Sequence, residues 1–113
     1  MSKIKIIYKP WGSETIIEHN DKYMVKELFM RKGECCSLQY HKQKHETIFV
    51  LEGKLNVNYQ GDSNELTAGQ FFVIPAGMVH RMTALTDCKY LECSTPENDD
   101  VIRLEDKYGR EGH

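Results

Sequence analysis

Two stretches decide the fold of this 113-residue chain: Gln39-Tyr-His-Lys-Gln-Lys-His-Glu-Thr-Ile-Phe-Val-Leu-Glu-Gly53 and Gly69-Gln-Phe-Phe-Val-Ile-Pro-Ala-Gly-Met-Val-His-Arg-Met-Thr-Ala84. Each contains a run of β-branched and aromatic residues that stops at a glycine-containing turn, which is typical of a β-strand. Side chains alternate between the two faces of a strand, so Gln39 and His41 point the same way. If Glu46 points inward, Ile48 and Val50 line the interior with it.

The remainder of the chain repeats this pattern of short strands and turns. Strands are predicted at 4–8, 15–18, 23–30, 36–40, 47–51, 55–59, 71–74, 80–85 and 90–94. Turns are predicted at 32–33, 52–53, 61–64, 68–69 and 76–77. Many short strands at close spacing indicate an all-β sandwich or barrel, here one domain over 1–113.

The end of the chain carries a different signal. Ser94 or Thr95 followed by Pro96 and Glu97 is typical of a helix start, because a hydroxyl caps the first amides and proline needs no donor there. Gly109 suits a helix end. The sequence therefore predicts a short helix over 97–107.

Composition excludes several classes of protein. Hydrophobic residues make up 40% and charged residues 28% of the chain, and the formal net charge is -2, which is ordinary for a globular domain and gives nucleic acid no basic surface to bind. Apolar runs are too short to span a membrane. Residues 1–5 lack the apolar region of a signal peptide, which predicts a cytoplasmic protein. The four cysteines form no CxxC motif and are expected to be reduced thiols.

Four side chains are predicted to meet at one metal ion. In the second stretch a strand enters a Pro-Ala-Gly turn, and His80 follows at the start of the next strand. With Gln39, His41 and Glu46, it provides two imidazoles, a carboxylate and an amide oxygen. Such a set binds one divalent ion and leaves positions open for substrate. Zinc, manganese, iron, cobalt and nickel all accept it.

The spacing of these residues resembles the two motifs of the cupin superfamily. The first is Gln39-x-His41-x4-Glu46-x6-Gly53, with glutamine where cupins usually have histidine. The second is Gly69-x5-Pro75-x-Gly77-x2-His80-x3-Ala84, which usually ends in asparagine. The resemblance implies a single-domain jelly-roll β-barrel with a metal centre.

Nearly the whole chain resembles the isomerase domain of type II phosphomannose isomerases, in which glutamine is usual at position 39. The matching pieces include Pro10-Trp11-Gly12-Ser13, Val25-Lys26, Ser37-Leu38-Gln39-Tyr40-His41, Glu46, Gly53, Ile74-Pro75, His80-Arg81 and, most specific, Asp99-Asp100-Val-Ile-Arg-Leu-Glu-Asp-Lys-Tyr-Gly-Arg110. The nucleotidyltransferase domain of the bifunctional enzymes lies outside this resemblance, so no sugar-nucleotide synthesis is expected here. The sequence departs from the family at His45-Glu46-Thr47 and Cys93-Ser94-Thr95-Pro96, which leaves the sugar open.

The resemblance implies interconversion of an aldose phosphate and a ketose phosphate, such as mannose 6-phosphate and fructose 6-phosphate, in polysaccharide precursor metabolism. A base must move a proton between two carbons. His45 and Tyr40 are candidates because they adjoin the metal ligands in sequence. His45 could instead be a fifth metal ligand or an ordinary solvated residue. Candidate cations for the phosphate are Lys44, Arg81, Arg103 and Arg110. Arg103 could instead be an exposed helix residue paired with a neighbouring acid.

Two other functions are compatible with the sequence. A metal-dependent oxygenase would use two histidines and a carboxylate around iron. A non-catalytic sugar-binding or regulatory cupin would bind a sugar phosphate without turnover. Under any of these functions, Thr47, Phe49 and Leu51 form an outer face that is too apolar for full exposure. It is expected to be covered by another sheet or by a second subunit, which predicts a homodimer.

Overall fold

The computed structural model describes residues 5–110, and the regular secondary structure in this range consists of strands. They are β1 (Lys5–Lys9), β2 (Gly12–His19), β3 (Met24–Met30), β4 (Leu38–His41), β5 (Glu46–Glu52), β6 (Lys54–Tyr59), β7 (Asp62–Thr67), β8 (Phe71–Ile74), β9 (His80–Ala84), β10 (Cys88–Ser94) and β11 (Val101–Glu105). Within residues 5–110 no helix is long and apolar enough to cross a bilayer. No disulfide joins the four cysteines, all of which lie in the described residues.

The strands form two antiparallel sheets that face each other. One sheet has the order β1-β2-β3-β10-β5-β8, and the other has the order β11-β4-β9-β6-β7. The core lies between them and includes Trp11, Leu28, Ile48, Val57 and Tyr90, each at most 4% exposed. This double-layered all-β arrangement confirms the predicted cupin fold.

Strand β5 follows the predicted alternation. Glu46, Ile48 and Val50 are buried, while the residues between them are only partly buried. On the outer face Thr47 and Phe49 are partly buried, and Leu51 is 38% exposed. On the adjacent strand β8, Phe71 is 62% and Val73 44% exposed. The structure thus confirms the apolar outer face.

The predicted helix over 97–107 is wrong, because this segment contains strand β11. Val101 pairs with His41, Ile102 with Tyr40, and Arg103 with Gln39. Helix-start signals are local and worth about 1 kcal/mol. The pairing with β4 satisfies backbone groups along an otherwise open sheet edge and uses two β-branched residues that favour strands. Long-range pairing therefore overrides the local signal.

The sequence predicts a turn at 61–64, where the structure has the start of strand β7. Its sequence is largely polar, and only Leu66 in it is buried. The turn is shorter than predicted and consists of Gln60 and Gly61, with φ angles of 51° and 89°. Two consecutive residues with positive φ are what a two-residue hairpin loop of type I′ requires. The β6–β7 hairpin is therefore built around this pair.

Candidate metal centre

Three of the predicted metal ligands meet between the two sheets. His41 ends β4, Glu46 begins β5 and His80 begins β9, and all three side chains are buried. His80 Nε2 lies 3.2 Å and His41 Nε2 lies 3.9 Å from Glu46 Oε1. One potential ligand atom from each residue falls within 4.8 Å of the others. This separation is suited to three atoms that share one cation.

The two imidazole rings are held by contacts to their other nitrogen. His41 Nδ1 lies 3.1 Å from Asp100 Oδ1, and His80 Nδ1 lies 2.9 Å from the Met78 carbonyl oxygen. A carboxylate and a carbonyl only accept hydrogen bonds, so in both rings Nδ1 is the donor. The lone pair is then on Nε2, which faces Glu46. Partners of this kind fix ring orientation in protein metal sites.

The donor set fits a divalent cation. Both carboxylate oxygens of Glu46 and Nε2 of His80 are buried and make no hydrogen bond to any described residue. Unsatisfied buried polar atoms are rare in folded proteins. Two imidazole nitrogens and a carboxylate oxygen are ligands accepted by zinc, iron, manganese, cobalt and nickel. A cation at this point would give His80 Nε2 and the Glu46 carboxylate a partner, in addition to the ion-pair contact of Glu46 Oε2 with Lys44.

Electrostatics favours the ligating forms of Glu46 and His41. Burial by itself raises the pKa of the Glu46 carboxyl, but the contact with His80 and the charge of Lys44 outweigh burial and lower this pKa to about 2. Burial lowers the pKa of His41. Burial also opposes the charge on His80, yet the neighbouring Glu46 raises its pKa overall. A metal ion would compete with that proton for Nε2.

Gln39 lies beside the three ligands. It pairs with His80 across β4 and β9, so the two side chains lie on the same face of the sheet. Its Oε1 accepts a hydrogen bond from the Ser37 hydroxyl. The amide therefore adjoins the centre and is already oriented by a neighbour.

A cavity of about 440 Å³ adjoins the ligands. It lies between the sheets on the side where their edge strands β1 and β11 are found. Its lining consists of Ile7, Lys9, Glu14, Lys26, Gln39, His41, Lys44, Glu92, Asn98, Asp99, Val101 and Arg103. The volume is typical of a small-molecule site, and most of the lining residues are charged or polar.

One wall of the cavity is a row of buried charges. Lys44 Nζ lies 3.4 Å from Glu46 Oε2 and 2.8 Å from Glu92 Oε2. Lys26 Nζ lies 3.8 Å from the same Glu92 oxygen and 3.3 Å from Glu14 Oε1. Burial is expensive for each charge, but alternation of sign along the row offsets part of that cost. The row runs from Glu46 in the candidate metal centre to Glu14.

Sequence reasoning missed Glu14, Lys26 and Glu92 as site residues. The available signal was alternation, because Lys26 shares a face of β3 with three buried apolar residues, and Glu92 follows Cys88 and Tyr90 on the buried face of β10. A charge in the middle of an apolar strand face must be paired or functional. Asp100 was missed as a site residue because its position in the matching C-terminal segment does not reveal its contact with His41.

Some of the other predicted site residues line the cavity and some do not. Arg103 and Lys44 line the cavity. His45 is exposed and Tyr40 lies on the opposite face of β4 from His41, so neither lines the cavity. Arg81 donates to the carbonyl oxygens of Cys36 and Glu105.

Arg110 lies at the end of the described chain, outside the cavity lining. Its guanidinium donates two hydrogen bonds to the Asp106 carboxylate, and its backbone amide donates a third. Asp106 itself is buried. Arg110 is thus engaged in holding the C-terminal segment.

The chain matches one protein family over almost its full length. A family model described as mannose-6-phosphate isomerase C-terminal matches residues 1–106. The chain is 33% identical over 109 residues to mannose-1-phosphate guanylyltransferase of Escherichia coli K12 and 32% identical over 109 residues to the alginate biosynthesis protein AlgA of Pseudomonas aeruginosa. In both cases 92% of this chain aligns with 23% of the relative, so the chain spans about a quarter of these proteins.

Solved structures show the same fold. KdgF from Halomonas sp. superposes with a TM-score of 0.77 at 22% identity, covering 88% of this chain and 90% of that one. An RmlC-like cupin from Shewanella frigidimarina gives 0.77 at 23% identity, covering 87% and 88%. At such identities the likeness is one of fold, and it agrees with the cupin motifs.

Proposed function

The chain belongs to the mannose-6-phosphate isomerase C-terminal family, and on that premise we propose that it is a metal-dependent isomerase that interconverts an aldose phosphate and a ketose phosphate. One observation carries the proposal. The buried group of His41, Glu46 and His80 has orphaned ligand atoms and adjoins a cavity lined with charges. Mannose 6-phosphate and fructose 6-phosphate are the first substrates to test, in the context of polysaccharide precursor metabolism.

His41, Glu46 and His80 would hold one divalent cation, with the Gln39 amide oxygen beside them. Bound there, a divalent cation would act as a Lewis acid that polarises the substrate carbonyl. Asp100 contributes by holding the ring of His41 with Nε2 toward the centre. The cavity side of the centre is left for sugar oxygens.

Glu92 is the carboxylate we propose for the proton transfer. It lines the cavity, and burial together with the charge of Glu46 raises the pKa of its carboxyl. A carboxylate takes the proton from the carbon next to the carbonyl, and the resulting acid returns it to the neighbouring carbon. Lys44 and Lys26, on either side of Glu92, stabilise the charged form and fix the position of the carboxylate.

The experiment is proton NMR in heavy water with a panel of sugar phosphates and with each divalent metal added in turn. Exchange at the carbon next to the carbonyl, or appearance of the ketose, supports the isomerase and identifies its substrate. Binding without exchange, in folded and metal-loaded protein, would instead support the binding-module alternative. Oxygen consumption with iron would support the oxygenase.

Two variants separate the candidates for the base. Glu92→Gln is expected to lower exchange by about 100-fold or more, and His45→Ala is expected to leave it unchanged because His45 is exposed outside the cavity. Metal content is measured in both variants. The reverse result, with normal exchange in Glu92→Gln and none in His45→Ala, would assign the proton transfer to His45.

We also propose that two copies of the chain pair through the outer face of β5 and β8. Phe71, Val73 and Leu51 are 62%, 44% and 38% exposed on this face. Adjacent exposed apolar side chains of this size mark interaction surfaces. A second copy presents the same patch, and a two-fold axis would bring the two patches into contact.

A further inference from the structure

Cations in the cavity differ in whether their charge is compensated. Four basic side chains line it, namely Lys9, Lys26, Lys44 and Arg103. Lys26 contacts Glu14 and Glu92, and Lys44 contacts Glu92 and Glu46. A doubly charged phosphate would have to compete with buried carboxylates for either lysine. These two residues are therefore poor anchors for an anion.

Lys9 differs from both lysines. No carboxylate among residues 5–110 is recorded within 4.0 Å of its ammonium group. It is half-buried at the end of β1, where it pairs with Gly12. Glycine is required at position 12 because a Cβ would collide with the Phe29 carbonyl. Lys9 thus lines the cavity with no described carboxylate against its ammonium group.

Lys9 and Arg103 stand on the two sides of the cavity. Strand β1 is an edge of one sheet and β11 is an edge of the other. Arg103 pairs with Gln39, so its side chain shares the inner face with the metal-ligand row. Burial and the positive charge of Arg110 lower the pKa of Arg103, while the Asp106 and Glu14 carboxylates act in the opposite direction.

We propose that Lys9, together with Arg103 on the opposite edge, binds the anionic end of the ligand, which is the phosphate group of a sugar phosphate. This inference rests on the proposed function for the identity of the ligand. It places the phosphate between the two sheet edges and the carbonyl end of the sugar at the metal ligands. It also replaces Arg81 and Arg110 as phosphate residues, because both donate to groups outside the cavity. Asp99 on the rim is exposed, so solvent and salt screen its repulsion.

The test compares Lys9→Met with Lys5→Met. Lys5 lies on the same face of β1, is exposed and does not line the cavity, so it controls for the loss of one surface charge. Inorganic phosphate and sugar phosphate are titrated into each protein at two salt concentrations. Lys9→Met is expected to weaken binding of both by about tenfold or more, as expected for a charge-assisted hydrogen bond. Lys5→Met should match the unaltered protein.

Turnover gives a second readout. Because Lys9 is placed away from the reacting carbon, KM should rise about tenfold in Lys9→Met while kcat changes little. If turnover is present and Lys9→Met has unchanged KM and phosphate affinity, the anion site is refuted and the isomerase function is supported. If no sugar phosphate reacts but Lys9→Met still loses phosphate affinity, the isomerase function is refuted and the anion site is supported. Absence of any phosphate or sugar phosphate binding to the unaltered protein would overturn the anion site.

Discussion

Replacing Asp100 with asparagine tests how the metal centre is held. Asp100 Oδ1 lies 3.1 Å from His41 Nδ1, and Oδ2 accepts hydrogen bonds from the amides of Gln43 and Lys44 at 2.7 and 2.9 Å. Asparagine has the same shape but only one acceptor oxygen. If that oxygen still accepts the hydrogen bonds of the two backbone amides, the NH2 group faces the imidazole of His41. The NH2 group donates to Nδ1, which places the ring proton on Nε2 and blocks ligation.

The size of the effect follows from this conflict. Partners that orient ligating histidines are worth about 10- to 100-fold in metal affinity, or about 1.4–2.7 kcal/mol. If the side-chain amide instead flips so that its oxygen faces His41, the two backbone donors lose their charge-assisted hydrogen bonds. The metal-free protein then loses about 1–3 kcal/mol of stability. One of the two losses must appear.

The assay is competition for zinc against a chelating dye, paired with denaturant unfolding of the metal-free protein. The unaltered chain defines the reference affinity. Asp99→Asn is the matched control, because Asp99 is the adjacent, exposed carboxylate, and its zinc affinity should stay within about twofold of the reference. An Asp100→Asn protein with reference affinity and reference stability would refute the role of Asp100.

Three further outcomes are expected. Lys44→Met leaves the buried carboxylate of Glu92 without its nearest counter-charge, so the metal-free protein should lose about 3–5 kcal/mol in urea unfolding; a loss below about 1 kcal/mol would show that the pair is not desolvated. The hydrogen bonds of Arg110 lower the pKa of Asp106, so its stabilising contribution is full above the ordinary value of 3.8 and is lost as the pH falls through the lowered pKa. The stability difference between the unaltered chain and Asp106→Asn, about 1–2 kcal/mol at neutral pH, should therefore vanish in strong acid, and a difference independent of pH would contradict this. Phe71→Lys should convert a dimer into a folded monomer in sedimentation velocity, whereas an unaltered chain that already sediments as a monomer would refute the pairing.

Alternation made the centre of the fold predictable from sequence. The inward positions Glu46, Ile48 and Val50 follow from a period of two, and the structure buries all three. His41 and His80 were found because ligand types, glycines and proline occur at fixed spacing around them. Each of these inferences uses residues that are neighbours in the chain, which is where sequence patterns carry most information.

The C-terminal segment shows why the rest could not be predicted in the same way. Its helix-start residues are a local signal, but Val101 and Arg103 lie opposite His41 and Gln39, which are about 60 residues earlier in the chain. The incorrect helix prediction also affected the expected role of Arg103, because an arginine on an exposed helix would not line the cavity. In strand β11 the same Arg103 side chain shares a face with Gln39 and lines the cavity. The pairing of two distant strands thus places this cation beside Gln39 in the cavity wall.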